Sequence, residues 1–432
     1  MNTRNFSRRD VLKLSAAGVA VGALGACATT PGSKGKVVVV GGGWGGATAA
    51  KYLRLWSEGS IDVTLVEPSR TFVSCPISNL VLGGSRTIEQ LTRGYDGLRA
   101  HGVNVVHDTV TAIDAGKRQV RLASGTSLPY DRLIVSPGIE SSAEFMYEGI
   151  KGMTAADADV IPHAWKAGPQ TVLLRRQLEA MADGGTVVLS VPMAPYRCPP
   201  GPYERTCQIA HYLKTRKPKS KLIVVDANPQ VTSKGPLFTR VWKEDYAGIV
   251  EYRPNMAVNE VDVKGRTLVS NLGDRIKGDV LNFIPPQRAA NIARDAGLIT
   301  ANNRWCEVDW MTMESIKVPG VHVIGDATLS APLMPKSGHM ANQHGKAAAA
   351  AIVELMNGRA PVPPMMANTC YSYIDDRNAI HVASVHRWVP EKKTMEVVAG
   401  ASGVSGQDRA QWVFEGQYAW GWAQTVWADM LA

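Results

Sequence analysis

The sequence predicts an α/β chain with two Rossmann-like dinucleotide-binding units and a small C-terminal α+β domain. Three observations predict it. A valine run meets a glycine-rich turn in "KVVVVGGGWGGATAA", from Lys36 to Ala50. A second strand–turn–helix–strand pattern starts at about Thr186. A proline break at Pro361, Pro363 and Pro364 precedes a tail of different character. At 432 residues the chain exceeds one ordinary core, so two or three domains are expected.

The first residues read as a targeting signal. Arg8-Arg9 followed by an apolar stretch from Leu14 to Ala26 resembles a twin-arginine export signal. Its alanines and glycines make it too short and too weakly apolar to span a bilayer well. Residues 1–28 are assigned to it. Small residues at Ala26-Cys27-Ala28 fit plain cleavage, the favoured reading, and the same stretch fits a lipoprotein box with Cys27 lipidated. The signal holds four basic residues and one acid, so of the formal charge of +9 the remainder of the chain carries only about +6, a mild excess. No basic run carries interleaved aromatics, which argues against nucleic acid and favours an acidic partner protein.

Next comes the first unit, placed at 35–147 and 289–360. Val37 to Val40 form a buried parallel strand. Gly41, Gly43 and Gly46 spell GxGxxG, and the alanines after them open a helix. The strand "IDVTLVEP" ends at Glu67, 21 residues after Gly46, where an acid holds a ribose hydroxyl. Much later the strand Val321 to Ile324 ends in Gly325-Asp326. Asp326 is either a turn residue or an acceptor for a ribitol hydroxyl. A helix from about Ala341 to Met356 follows, its positive end suited to a developing negative charge.

The second unit, 148–288, has a similar plan but a different turn. Pro192, Pro195, Pro199 and Pro200 stand where glycines would let a nucleotide approach the backbone. Proline removes N–H donors and adds bulk, so this unit is expected not to bind NAD(P)H. The tail 361–432 forms the third domain, with short strands and a final aromatic stretch "WVFEGQYAWGWAQTVW". Five cysteines remain after the signal: 75, 198, 207, 306 and 370. An odd number leaves at least one unpaired or modified.

The segments "SCPISNLVLGG", "YDGLRAHGVNVVHD", "PYRCPPGPYER", "IPPQRA", "VIGDA", "MPKSGHMANQ" and "NTCYSY" go further. Together and in order, they resemble the flavoprotein subunit of flavocytochrome c sulfide dehydrogenase, with sulfide:quinone oxidoreductases one step out. The resemblance implies a glutathione-reductase-like fold and FAD. It implies flavin contacts from Gly41, Gly43, Gly46, Glu67, Asn79, Gly325, Asp326 and Lys336, and a thioether from Cys75 to the flavin. By spacing alone Cys75 is as readily a buried structural thiol. The resemblance pairs Cys198 with Cys370 as a redox disulfide. As residues of an exported protein they also fit a plain inter-domain staple. Glu204 is either a proton acceptor at the sulfur site or an ordinary acid in a helix's first turn. Lys336 and His339 either steady a reduced flavin or sit in a solvated loop. Cys207 and Cys306 match no catalytic position.

The implied chemistry is attack by HS⁻ on the disulfide, leaving a persulfide and a thiolate, with two electrons passing to FAD. Product leaves as sulfur or polysulfide. No CxxCH occurs, so no haem is expected in this chain, and no metal site is expected. A separate c-type cytochrome subunit is the expected acceptor, docked in a periplasmic heterodimer. The rivals are a sulfide:quinone oxidoreductase and a non-catalytic flavoprotein partner of another sulfur-oxidising system.

Overall fold

The computed structural model describes residues 32–432; the signal and Cys27 lie outside them. Strand β1 (Lys36–Val40) buries its valines and runs into helix α1 (Trp44–Trp56) through the glycine turn. The chain continues through β2 (Asp62–Val66), the short helix α2 (Asn79–Gly83), β3 (Asn104–Val106) and β4 (Arg132–Val135). The second unit is β5 (Thr186–Val191), α3 (Gly201–Arg216), β6 (Lys221–Asp226), α4 (Gly235–Glu244), β7 (Val250–Arg253) and β8 (Val280–Phe283). The chain then returns as β9 (Val321–Val323) and α5 (Gly338–Met356). It ends with β10 (Met365–Tyr373), β11 (Ala379–Val389), β12 (Thr394–Val397) and α6 (Arg409–Leu431).

Two parallel sheets result, as the valine-rich runs predict. The first has the order β9-β4-β1-β2-β3, extended beyond β9 by two short antiparallel strands. The second has the order β7-β6-β5-β8. Strand β9 pairs with β4 across a gap of nearly two hundred residues of sequence, so the first unit is built from both ends of the chain. The tail is an antiparallel sheet of β10, β11 and β12 against α6. The final aromatic stretch is therefore one helix of 23 residues. It buries Trp412 and Trp427 and leaves Val413, Phe414 and Tyr418 exposed. Among the described residues, no helix is long and apolar enough to cross a membrane.

Two glycines make the first turn possible. Gly41 has φ +94°, and a Cβ there would lie 2.4 Å from the Ser136 carbonyl oxygen. A Cβ on Gly46 would lie 1.8 Å from the Gly41 carbonyl oxygen, so any side chain would drive α1 off the strand. Helix α5 comes equally near: a Cβ on Gly345 would meet the Gly45 carbonyl at 2.5 Å.

Candidate active site

The first turn is a cradle with acceptors around it. A Cβ on Gly43 would meet nothing within 4 Å, so the chain leaves open space where a pyrophosphate approaches. Glu67 ends β2 and accepts from the Gly42 N–H at 2.7 Å and the Ser69 N–H at 2.8 Å, which holds the carboxylate beside the turn. Asp326 follows Gly325 (φ +72°) after β9. Its Oδ1 is buried without a hydrogen-bond partner among the described residues. Burial raises its pKa, against the Arg197 and Lys336 cations. An orphaned buried carboxylate oxygen beside an open glycine cradle is what a flavin dinucleotide with its ribitol hydroxyls requires.

Cys75 lies between β2 and α2. Its sulfur accepts from the Arg197 guanidinium at 2.9 Å and from the Ala167 N–H at 3.2 Å. Arg197 also donates to the Trp165 carbonyl, and its pKa rises because the sulfur and carboxylate groups outweigh burial. Cys75 is thus held by the second unit although it belongs to the first.

Cys198 sits in the proline-framed turn before α3. Its φ of 57° is left-handed, a strained state for a residue with a side chain. Its N–H donates to the Lys336 carbonyl at 2.7 Å, and its carbonyl accepts from the Gly201 N–H at 2.8 Å. A Cβ on Gly201 would lie 2.9 Å from the Cys198 sulfur, so the glycine makes room for the thiol. Cys370 comes from β10, and its Sγ–H points to Asn368 Oδ1 at 3.6 Å. Asn368 Oδ1 also accepts from Ser337 Oγ at 2.6 Å, and Ser337 caps α5. Both cysteines are unbonded thiols in this structure. Cys370, Glu204 and Lys234 all enter the electrostatics of Cys198, and Lys234 and Glu204 enter those of Cys370. Burial raises the Cys198 thiol well above its ordinary value, reinforced by Cys370 and Glu204. Cys370 is raised by burial and opposed first by Lys234.

Glu204 lies in the first turn of α3 and is buried. Its Oε2 accepts from Asn79 Nδ2 at 2.8 Å and its Oε1 from the Tyr373 N–H at 2.9 Å. Burial raises its pKa against these bonds. It is not a surface acid serving a helix dipole.

Asn79, expected at the cofactor, bonds to the second unit. Its amide donates to Glu204 and to the Gly201 carbonyl, and its Oδ1 accepts from Arg205 Nε at 3.0 Å. It spans α2 and α3 and orients the carboxylate. Lys336 is not in a solvated loop. It is buried, its Nζ donates to the Asp326 and Thr328 carbonyls, and it lies 3.8 Å from the Trp305 ring centroid. Burial lowers its pKa to about 8. His339 accepts the Thr369 N–H at 3.0 Å and packs edge-on against Trp422. Burial lowers its pKa to about 4, so the ring is neutral and supplies no positive charge at neutral pH. Cys207 and Cys306 are fully buried, as expected.

Three residues escaped the sequence reading. Arg197 and Arg205 both lie inside "PYRCPPGPYER", the only signal they give. Arg205 donates to Asn79, His163, Asn282 and Ala164 and locks α3 to the Pro162–Trp165 segment. Lys234, a single lysine in "VTSKGP", carries no local signal.

Comparison with known proteins agrees with this geometry. Residues 171–285 match the family described as the sulfide dehydrogenase (flavocytochrome c) flavoprotein chain, central. Residues 362–431 match the flavin-binding family of flavocytochrome c sulphide dehydrogenase. A flavoprotein chain of that enzyme from Chlorobaculum thiosulfatiphilum is 65% identical over 46 residues, which are 94% of its sequence and 11% of this chain. The chain belongs to the flavocytochrome c sulfide dehydrogenase flavoprotein family. Residues 35–174 match the pyridine nucleotide-disulphide oxidoreductases, and with the flavin-binding match the chain is a flavoprotein. Residues 5–25 match a twin-arginine signal sequence, which directs export by that pathway to the periplasm.

More distant relatives share the fold. Mitochondrial sulfide:quinone oxidoreductase of Mus musculus is 26% identical over 328 residues, covering 70% of this chain and 68% of that protein. The Dictyostelium discoideum protein of the same name is 23% identical, and the chain spans 65% of its length. The solved sulfide:quinone oxidoreductase of Aquifex aeolicus superposes with a TM-score of 0.67 at 18% identity, covering 91% of each chain.

Proposed function

We propose that this chain is the flavoprotein of a periplasmic sulfide dehydrogenase. It oxidises sulfide to sulfur or polysulfide and passes the electrons to a c-type cytochrome subunit. One observation supports the reading: Cys198 and Cys370, 172 residues apart and each half-buried, both lie within electrostatic reach of the buried Glu204, and Cys370 within reach of Cys198. A surface staple would need neither a buried carboxylate nor a strained cysteine.

The roles follow from the contacts. HS⁻ attacks the Cys198–Cys370 disulfide; a new S–S bond forms to one cysteine and the other leaves as thiolate. Glu204, its pKa raised, takes a proton at higher pH than an exposed glutamate and is the proton acceptor of the site. Asn79 and Tyr373 fix its two oxygens. FAD, when bound, supplies a two-electron sink. Gly41, Gly43, Gly46, Glu67, Gly325, Asp326 and Lys336 would hold it. Cys75 would tether it through sulfur, positioned by Arg197 and Ala167. The cytochrome docks at the tail domain, where α6 exposes Val413, Phe414 and Tyr418.

The test is an anaerobic titration of the purified chain with stoichiometric sulfide, followed by oxidised cytochrome c. Bleaching of the flavin and recovery on cytochrome are expected. Absence of bleaching sinks the sulfide reading, and bleaching that only a quinone reverses sinks the cytochrome. Acid-precipitated protein is expected to stay yellow, and Cys75→Ala to release its flavin.

A further inference from the structure

Lys234 is buried, yet nothing local explains it. It stands at the N-cap of α4 with φ 55°, a costly conformation for a lysine. The N-terminal end of a helix repels a cation. Its Nζ donates to three uncharged acceptors: Ser372 Oγ at 2.8 Å, the Cys370 carbonyl at 3.1 Å and the Ile380 carbonyl at 3.3 Å. Phe238 closes the remaining side, its ring centroid 5.6 Å away. Burying an ammonium among neutral groups is costly unless an anion comes to it.

The groups around it show where that anion forms. Lys234 is influenced, in order, by Cys370, Glu204, Cys198 and Glu415. Glu415 is already engaged by His381 Nδ1 at 2.9 Å and Ser405 Oγ at 2.5 Å, and Glu204 by Asn79 and Tyr373. The reaction opens the bond between the two cysteines, so the new negative charge arises on their sulfurs.

We propose that Lys234 is the buried cation for the negative charge that hydrosulfide brings into the site and that disulfide opening leaves on sulfur beside Cys370. The inference rests on the sulfide-oxidising reading. The charge balances. HS⁻ enters with one negative charge and forms an S–S bond to one cysteine. The Cys198–Cys370 bond breaks, and its electron pair stays on the other sulfur as thiolate. In this step the hydrogen stays on the persulfide, from which Glu204 takes it later, so one negative charge remains through disulfide opening and faces one ammonium. Burial lowers the lysine's pKa to about 8, so the cation is lost in mildly alkaline solution.

The test reads the thiols directly and needs no turnover. Holoprotein is reduced anaerobically with a phosphine, and Cys370 alkylation by iodoacetamide is followed by peptide mass spectrometry across neutral and alkaline pH. Lys234→Met is expected to slow alkylation at neutral pH about tenfold and move the profile to higher pH, whereas Lys234→Arg stays within about threefold of wild type. Lys234→Gln, which keeps N–H donors for the three acceptors but not the charge, carries the test if Lys234→Met does not hold FAD. Profiles of the uncharged variants that overlay wild type, with flavin retained, overturn the proposal. If wild type is not bleached by sulfide while these variants still shift the profile, the sulfide reading falls and the lysine's hold on the pair stands.

Discussion

The two nucleotide-type units share a plan and differ in their first turn. After β1, three glycines bring the helix against the strand and leave open space at Gly43. After β5, prolines frame the turn and Cys198 occupies it. The acids that end the second strands differ as well. Glu67 meets two backbone N–H groups and stays beside the open cradle. Asp226 is fully buried and accepts from Tyr203, Tyr252, the Asn228 N–H and the Asn228 amide. Tyr196 and Tyr203 pack behind it. One fold thus leaves an open cradle in one unit and a filled scaffold behind Cys198 in the other. The difference lies in whether polar groups are left for a ligand or consumed by the protein. This consumption supports our proposal that the second unit takes no NAD(P)H.

The comparison breaks most sharply by giving each turn a methyl group. Gly46→Ala puts a carbon against the Gly41 carbonyl, and the purified protein is expected to lack flavin absorbance almost entirely. Gly201→Ala crowds Cys198 instead. It is expected to keep the flavin and to lower sulfide-dependent cytochrome reduction about tenfold by misplacing the thiol. Equal flavin content in the two variants would erase the distinction between the turns. Cys198→Ser and Cys370→Ser are expected to lower that rate at least about a thousandfold with the visible spectrum preserved. Wild-type turnover in either would reduce the pair to a staple.

Smaller effects sharpen the contrast between the acids. Glu204→Gln is expected to lower kcat/KM roughly tenfold to a hundredfold. The sign of its pH dependence is set by burial: the raised pKa keeps Glu204 protonated at lower pH, so wild-type activity rises with pH through that pKa. The variant's profile is expected to lose this acid limb. Asp226→Ala leaves the buried Tyr203 hydroxyl and the half-buried Tyr252 hydroxyl without this acceptor. It is expected to cost about 2–3 kcal/mol in chemical denaturation and to leave flavin content unchanged. A gain of NADH oxidation in this variant would show a nucleotide site merely masked.

Much of this was legible before the structure because it depends on local chemistry. The valines of β1, the glycines after it and the alanines of α5 announce strand, turn and helix by composition alone. The prolines around Cys198 announce a changed turn. What the sequence hid is what the fold gathers from afar. Asn79 looked like a cofactor residue, yet its partners are Glu204 and Arg205, more than a hundred residues on. Lys234 gave no signal because its acceptors lie on β10 and β11, more than a hundred residues on. His339 looked like a cation because burial, which keeps it neutral, has no signature in one sequence. The tail looked like short strands and loose aromatics. Its aromatics keep no clean helical period because partners meet α6 on several sides, with Trp422 stacked on Trp44 at 6.0 Å and Trp420 beneath Arg86 at 4.5 Å.

Buried histidines give the last and mildest way to separate the two units. Burial lowers His344 on α5 to a pKa of about 3 and His339 to about 4, and it lowers His322 on β9 as well. All three belong to elements that pack against the flavin cradle. The second unit and its lead-in segment contribute His163, lowered to about 3. A histidine depressed in the fold leaves stability intact above its unfolded pKa near 6.5, and that stability is lost as pH falls toward the folded value. Each then costs on the order of 1–2 kcal/mol by pH 5, before it protonates in place. The temperature at which flavin fluorescence rises on unfolding is therefore expected to drop several degrees between pH 7 and pH 5. Amide exchange is expected to quicken in β9 and α5 before it quickens in β5 and β6, because three of these four histidines load the first unit. Equal acceleration in both sheets would mean that the units unfold as one body, and that the contrast between their turns is chemical but not thermodynamic.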